Sequence, residues 1–203
     1  MKRRFGYIFF TVILTIAISG CMTMKPGNFK DEKPKFILEQ YFNGKTQAWG
    51  IFEDRFGNVK RQFTVDINGK WNGKKLILDE YFLFNDGEKS FRQWRITKKK
   101  NGRYEGKADD VIGIATGISA GNTLNWSYTL DLKMDDNKSL KVKFDDWMFL
   151  QPGGVLLNRA RMSKFGVEIG QVTISFFKAS NPKEISLPTS SQFGDEDTVA
   201  MVQ

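Results

Sequence analysis

Four charged side chains interrupt the apolar faces of predicted strands, and these four are the residues best placed to bind a ligand or to do chemistry. Glu80, for example, shares its face with Leu78 and Phe82. An unpaired charge buried on such a face is costly, so each one needs an opposite charge or a polar ligand. The four residues are Arg61, Glu80, Arg92 and Asp146.

Two interpretations of these four charges are open from the sequence. They either form structural ion pairs, or they contact the headgroup or carboxylate of a lipid bound in an otherwise apolar pocket. A β-bulge that shifts the register would instead turn them to the opposite face. We take the four as predicted ligand-binding residues.

The residue composition excludes most familiar enzyme chemistries. The chain has no histidine and a single cysteine, which removes Ser/His/Asp and Cys/His catalysis, histidine-ligated metals and any internal disulfide. The adjacent acids Asp145 and Asp146 do not make a carboxylate dyad, because neighbours on a strand point to opposite faces. The spacing of a calcium loop is absent. We therefore predict no catalytic residue, no metal site and no cofactor.

A two-residue hydrophobic period runs through the chain from Lys45 onward and predicts antiparallel strands. The clearest case alternates Leu124, Trp126 and Leu130 with polar residues. Turn signals such as Asn72-Gly73 recur about every 8–12 residues. The predicted strands, about nine in number, cover residues 45–53, 59–71, 76–84, 91–97, 103–108, 124–132, 140–150, 155–162 and 167–177.

This strand pattern predicts an all-β fold. Hairpin-linked strands with one polar face most simply close into an antiparallel up-and-down barrel, here of about 8–9 strands, which near eight strands leaves room for one small ligand. An open sandwich is the alternative. We expect one short helical turn at Phe36 to Phe42, and an irregular connection or a mobile lid at the glycine-rich segment Val111 to Gly121.

The N-terminus has the features of a secretion signal. Lys2 to Arg4 form a basic region, and the apolar run from Phe5 to Ile18 is too short to span a bilayer. The run ends in Ile18-Ser19-Gly20-Cys21, which resembles the bacterial lipobox. That resemblance implies that lipid is attached to the thiol of Cys21 and that cleavage leaves Cys21 as the first residue. Because Met22 rather than aspartate follows, it also implies the periplasmic face of the outer membrane.

Four segments are therefore predicted: a signal peptide (1–20), a lipidated N-terminus with a flexible tether (21–35), the barrel domain (36–178) and a disordered tail (179–203). The formal net charge of the chain is +8. Its one lysine run, Lys98 to Lys100, precedes Asn101-Gly102 and is typical of a solvated hairpin tip. We expect no nucleic-acid partner and some attraction to anionic lipid headgroups. The oligomeric state is left open.

Several longer motifs are similar to a family of proteobacterial lipoproteins that has only a domain-of-unknown-function label. The resemblance extends from about Phe36 to Lys178. It implies a calycin-like fold, related in shape to lipocalins, and an association with lipids through neighbouring genes for fatty-acid-modifying enzymes. The motifs are Tyr41-Phe42-Asn43-Gly44, Ala48-Trp49-Gly50-Ile51-Phe52, Asp145-Asp146-Trp147-Met148-Phe149-Leu150-Gln151, Leu157-Asn158-Arg159 and Met162-Ser163-Lys164-Phe165-Gly166.

Three functions follow as hypotheses. The first is a membrane-anchored barrel that binds a fatty acid or another lipid for envelope transport, sensing or maintenance. The second is a scaffold lipoprotein whose barrel is filled by its own side chains. The third is a histidine-free enzyme that acts on a lipid, with Asp146, Glu80 or a pair of arginine and tyrosine side chains transferring protons in a dry pocket.

Overall fold

The computed structural model describes residues 24–133 and 139–178. Cys21, the predicted signal peptide and the predicted tail lie outside these residues. The described chain forms one short α-helix and ten antiparallel strands, which confirms the predicted all-β class. The elements are α1 (Leu38–Phe42), β1 (Gly44–Asp54), β2 (Val59–Trp71), β3 (Lys75–Phe84), β4 (Lys89–Lys98), β5 (Arg103–Lys107), β6 (Ala115–Ala120), β7 (Thr123–Lys133), β8 (Ser139–Leu150), β9 (Val155–Lys164) and β10 (Val167–Phe177).

The ten strands close into an up-and-down barrel. Each strand pairs with the next along the chain, and β10 pairs back with β1. The closure places Ala48 of β1 between Val65 of β2 and Phe176 of β10, and all three are buried. The barrel prediction is confirmed, and its shape fits the calycin-like expectation, with ten strands in place of eight or nine.

The extra strand is β6, which lies within the segment expected to be an irregular connection or a lid. Its inward positions are Ala115 and Gly117, and these are too small to produce a hydrophobic period. They are small because the indole of Trp126, on β7, occupies the space beside them. A Cβ built on Gly117 would lie 2.3 Å from that ring. The strand is thus specified by a neighbouring side chain and not by its own pattern.

The helix α1 covers one end of the barrel, and we call this end the helix end. It confirms the short helical turn expected at Phe36 to Phe42. The carbonyl of Phe42 approaches Gly69 of β2 so closely that a Cβ there would lie 1.6 Å from the oxygen. The hydroxyl of Tyr41 donates hydrogen bonds to the carbonyls of Gly154 (3.0 Å) and Phe176 (3.1 Å). These contacts fix the helix across the strand ends.

The opposite end, which we call the turn end, carries the β1–β2, β3–β4 and β9–β10 turns. The hairpin turns follow the sequence signals. Asn101 and Gly102, at the helix end, both adopt positive φ, at 57° and 68°, as a two-residue hairpin turn requires. The side chain of Lys98, next to this turn, forms an ion pair with Glu39 of α1.

The segment before α1 is more ordered than the flexible tether predicted for residues 21–35. Pro26–Phe29 form a 3-10 helix that packs on β6 and β7. The Phe29 ring lies 6.1 Å from Trp147 and 5.4 Å from Phe149, between ring centroids. Trp147 points out of the barrel and is nevertheless buried. The difference from the prediction arises because burial of this outward-facing indole favours an ordered segment.

Among the described residues, no helix is long and apolar enough to cross a membrane.

Candidate functional site

The interior of the barrel encloses a cavity of about 320 Å³. Its walls are mainly apolar and aromatic, and α1 contributes Leu38 and Phe42 at the helix end. A cavity with such a lining and a few polar groups can hold a ligand. The strands supply the rest of the apolar lining, which includes Phe52, Phe63, Ile67, Leu78, Phe82, Trp94, Ile96, Leu124, Trp126, Leu130, Phe144, Met162, Val172 and Phe176.

All four charges that the sequence placed on apolar faces line this cavity. Arg61 lies near the turn end, and Glu80, Arg92 and Asp146 lie near the middle of their strands. Glu80 and Arg92 are neighbours on β3 and β4, whereas Asp146 faces the cavity from β8, across the barrel. Both bases form ion pairs, whereas neither acid has an ion pair within 4.0 Å among the described residues.

Arg61 is engaged in ion pairs at the rim. Its guanidinium donates to Asp86 (2.8 Å) and to Glu88 (2.9 Å), both in or beside the β3–β4 turn. It also stacks on Phe84, with 3.7 Å from the guanidinium carbon to the ring centroid. The structural interpretation therefore describes Arg61 well, and its charge is already balanced.

Arg92 is also paired, with a carboxylate that the sequence did not assign to it. Its Nε and Nη2 donate to Asp110 Oδ2 at 2.9 Å and 2.7 Å. Asp110 lies in the β5–β6 loop, and its carboxylate reaches Arg92 on β4. The backbone of the loop is tied to β7 by hydrogen bonds from Ile112 N to Thr129 O (2.8 Å) and from Asp131 N to Asp110 O (2.9 Å). Part of the segment considered as a lid is therefore fixed to the wall.

Glu80 faces Arg92 across the β3–β4 pair but forms no ion pair within 4.0 Å among the described residues. Burial raises the pKa of Glu80 to about 7; the Arg92 charge opposes this rise, and the Asp110 charge adds to it. Glu80 is therefore a carboxyl that carries its proton through part of the neutral range.

Asp146 is 5% exposed and lies on the opposite wall. Its Oδ2 accepts hydrogen bonds from the Tyr128 hydroxyl (3.3 Å) and from Asn158 Nδ2 (3.4 Å). Burial raises the pKa of Asp146 to about 7, although the bonds from Asn158 and Tyr128 act in the opposite direction. Asp146 Oδ1 and Asn158 Oδ1 have no hydrogen-bond partner among the described residues.

Together these groups form a polar belt, which we define as Glu80, Arg92, Asp110, Tyr128, Asp146 and Asn158. Tyr128 links the Asp146 side of the belt to the Arg92 side. Its hydroxyl donates to Asp146, and its ring packs edge-on, at 5.4 Å, against Trp94 on the strand that carries Arg92. Burial and the Asp146 charge raise the pKa of Tyr128 well above 10. Apart from Arg61 at the rim, the cavity above and below the belt is apolar. The belt holds three carboxyls and one guanidinium.

Sequence reasoning missed Asp110, Tyr128 and Asn158 as members of the site. A signal existed for Asn158, which alternates with the apolar residues Leu156 and Ala160 and so had to face inward. Tyr128 lies on the apolar face of its strand with Trp126 and Leu130, but an aromatic residue on such a face is typical of core packing. Asp110 gave no signal, because a loop position carries no periodicity.

The acidic pair behaves as strand alternation predicts. Asp145 points outward, accepts a hydrogen bond from Asn125 Nδ2 at 2.7 Å, and is separated from the cavity that Asp146 faces. Within residues 24–133 and 139–178, no group of three or more acidic or cysteine side chains has the arrangement of a metal site.

Comparison with known proteins identifies a family. No curated protein matches the chain. The family model described as "Protein of unknown function (DUF3833)" matches residues 15–178, which is most of the chain, and the protein therefore belongs to that family.

Proposed function

We propose that the barrel binds a lipid with a single acyl chain, such as a fatty acid or a fatty-acid derivative, and serves envelope lipid transport, sensing or maintenance. The observation that carries the proposal is an apolar cavity of about 320 Å³ crossed by one polar belt. Ligand cavities span about 300–1,000 Å³, so this cavity is near the lower limit. Its size favours one chain over a two-chain phospholipid.

The charges of the belt restrict which kind of polar group a bound ligand can place there. Arg92 is already neutralised by Asp110, and Glu80 and Asp146 add acidic groups with a pKa of about 7. A ligand carboxylate would meet like charges there unless it, too, were protonated. The belt therefore suits an uncharged polar group that forms hydrogen bonds, such as a hydroxyl, an ester or a neutral carboxylic acid.

We further propose that the protein is anchored through lipid on Cys21 at the periplasmic face of the outer membrane. The lipobox-like sequence Ile18-Ser19-Gly20-Cys21 and the residue Met22 support this location. Met24, the first residue that the structure describes, is three residues from Cys21, so an anchored barrel would lie close to the membrane. Labelling cells with radioactive palmitate tests the anchor: the wild-type protein should incorporate label, and a Cys21→Ser variant should not.

The test of lipid binding uses residues 22–203, which contain every strand of the barrel but no anchor, purified without detergent. Native mass spectrometry and lipid extraction should find one bound lipid, or one added fatty acid, per protein. Val172→Phe fills the cavity from its wall and should reduce binding. Thr173→Phe, on the outer face of the same strand, is the matched control. A protein that is empty and also ignores added lipids would favour the scaffold hypothesis instead.

One observation favours the enzyme hypothesis as a second candidate. A buried carboxyl with a pKa of about 7, such as Asp146, is suited to proton transfer near neutral pH. Asp146→Asn keeps the size of the side chain and removes its acid. If the protein turns over a lipid, this variant should bind the lipid and fail to convert it.

A further inference from the structure

Two aromatic side chains project into solvent from neighbouring turns at the turn end. Phe56, in the β1–β2 turn, is 74% exposed, and Phe165, in the β9–β10 turn, is 95% exposed. The two turns are close because β10 pairs with β1 along the barrel wall. Val59 and Val167, which follow these turns, are 50% and 57% exposed. We call these four residues the tip surface.

Phe165 occupies a backbone conformation that a phenylalanine rarely adopts. Its φ is 51°, and Gly166 follows with a φ of 80°. Such a two-residue hairpin turn favours Asn, Asp or Gly at both positions. A bulky residue with positive φ is an outlier that points to a functional constraint. No packing within the described chain offsets it, since the ring is almost wholly exposed.

Each exposed ring has a cation beside it. The guanidinium carbon of Arg55 lies 4.6 Å from the centroid of Phe56, and Lys164 Nζ lies 5.3 Å from that of Phe165. Neither Arg55 nor Lys164 has an acidic partner within 4.0 Å among the described residues. The neighbouring acids are occupied: Asp54 pairs with Lys60 at 3.1 Å, and Glu168 lies 3.9 Å from Arg161.

An aromatic ring at the tip of a turn with a cation beside it matches the layering of a membrane interface. Aromatic rings are stable at the boundary between headgroups and acyl chains, and basic side chains are stable near anionic phosphates. We propose that the tip surface docks on an anionic lipid surface, with Phe56 and Phe165 inserted among the headgroups and Arg55 and Lys164 at the level of the phosphates.

This docking is separate from the predicted anchor and from the cavity. The segment that follows Cys21 packs near Gly121, in the β6–β7 turn at the helix end. An anchor on Cys21 would therefore hold the helix end toward the anchoring membrane and leave the tip surface facing a second lipid surface. The tip surface consists of outer side chains only, and its docking does not require that a lipid enter the barrel.

The test measures sedimentation of residues 22–203 with vesicles of phosphatidylcholine alone and of phosphatidylcholine with phosphatidylglycerol at a ratio of about 3:1, since anionic lipid supplies the surface potential. The wild-type protein should bind the anionic vesicles, more weakly at high salt, and should bind neutral vesicles poorly. The combined variant Phe56→Ser and Phe165→Asn should bind about tenfold more weakly or worse, since it loses two apolar insertions.

Separate variants test the cations. Arg55→Gln and Lys164→Gln should each weaken binding about fivefold, the equivalent of about 1 kcal/mol for a basic side chain near the surface. Arg103→Gln, an exposed arginine at the helix end, removes the same charge and should have little effect. Leu157→Ser is the matched control for an exposed apolar residue on the outer wall.

Two results overturn the proposal. If the wild-type protein remains in the supernatant with anionic vesicles, the tip surface does not dock on lipid, and a protein partner becomes its expected occupant. Equal binding by the wild-type protein and the combined tip variant would place the membrane contact elsewhere. Val172→Phe distinguishes this proposal from the cavity proposal, because it should lose lipid binding in the cavity and keep vesicle binding.

Discussion

Replacement of Asp146 by asparagine should remove a large part of the pH dependence of stability. The carboxyl has a pKa of about 7 in the folded protein, against 3.8 as its ordinary value. Between these values the unfolded chain releases a proton that the folded protein keeps, so a rise in pH favours unfolding. The contribution of Asp146 to the free energy of unfolding therefore falls between about pH 4 and pH 7, and it is constant above that range.

The magnitude follows from the two pKa values. The full difference corresponds to about 4 kcal/mol, at about 1.4 kcal/mol per pH unit, and about 2.5 kcal/mol of it falls between pH 5 and pH 8. The chain has no histidine, the side chain that usually titrates between pH 5 and pH 8. The pKa of Glu80 is raised in the same direction. Its titration therefore lowers the free energy of unfolding by a similar amount in the wild-type protein and in Asp146→Asn.

Urea unfolding at pH 5, 6, 7 and 8 measures the effect. The substituted asparagine side chain cannot ionise, and its amide can still contact Tyr128 and Asn158. The free energy of unfolding of the wild-type protein should therefore fall by about 2.5 kcal/mol more than that of Asp146→Asn over this range. Parallel pH profiles for wild type and Asp146→Asn would refute the burial argument for this carboxyl.

Three further predictions concern packing and strain. Gly117→Val should destabilise the barrel by about 3 kcal/mol or more, measured by urea unfolding, because its side chain would overlap the Trp126 indole. Phe29→Ala should expose Trp147, shift the tryptophan emission to longer wavelength and cost about 2 kcal/mol; an unchanged spectrum would contradict the packing of the N-terminal segment. Phe165→Asn should raise stability by about 1 kcal/mol, seen as a higher Tm, because asparagine tolerates positive φ.

Local patterns in the sequence determined the strands of this protein. A two-residue period reports which face of a strand is buried, and this property depends on the strand alone. The predicted bounds of Val59–Trp71 and Val167–Phe177 match the structure for that reason. The same alternation correctly placed Arg61, Glu80, Arg92 and Asp146 on the inner wall, because a face is a local property as well.

Contacts between distant segments were decided only by the tertiary structure. β6 has no pattern of its own because Trp126 occupies the space that its side chains would fill. The partner of Arg92 could not be predicted, since Asp110 reaches it by the path of a loop. Trp147 faces outward and is buried, and a segment far away in the sequence packs on it. The sequence by itself therefore determined the strands and the residues that face inward, whereas the closure of the barrel, the size of the cavity and the pairing of its charges depend on side chains that meet only in the folded chain.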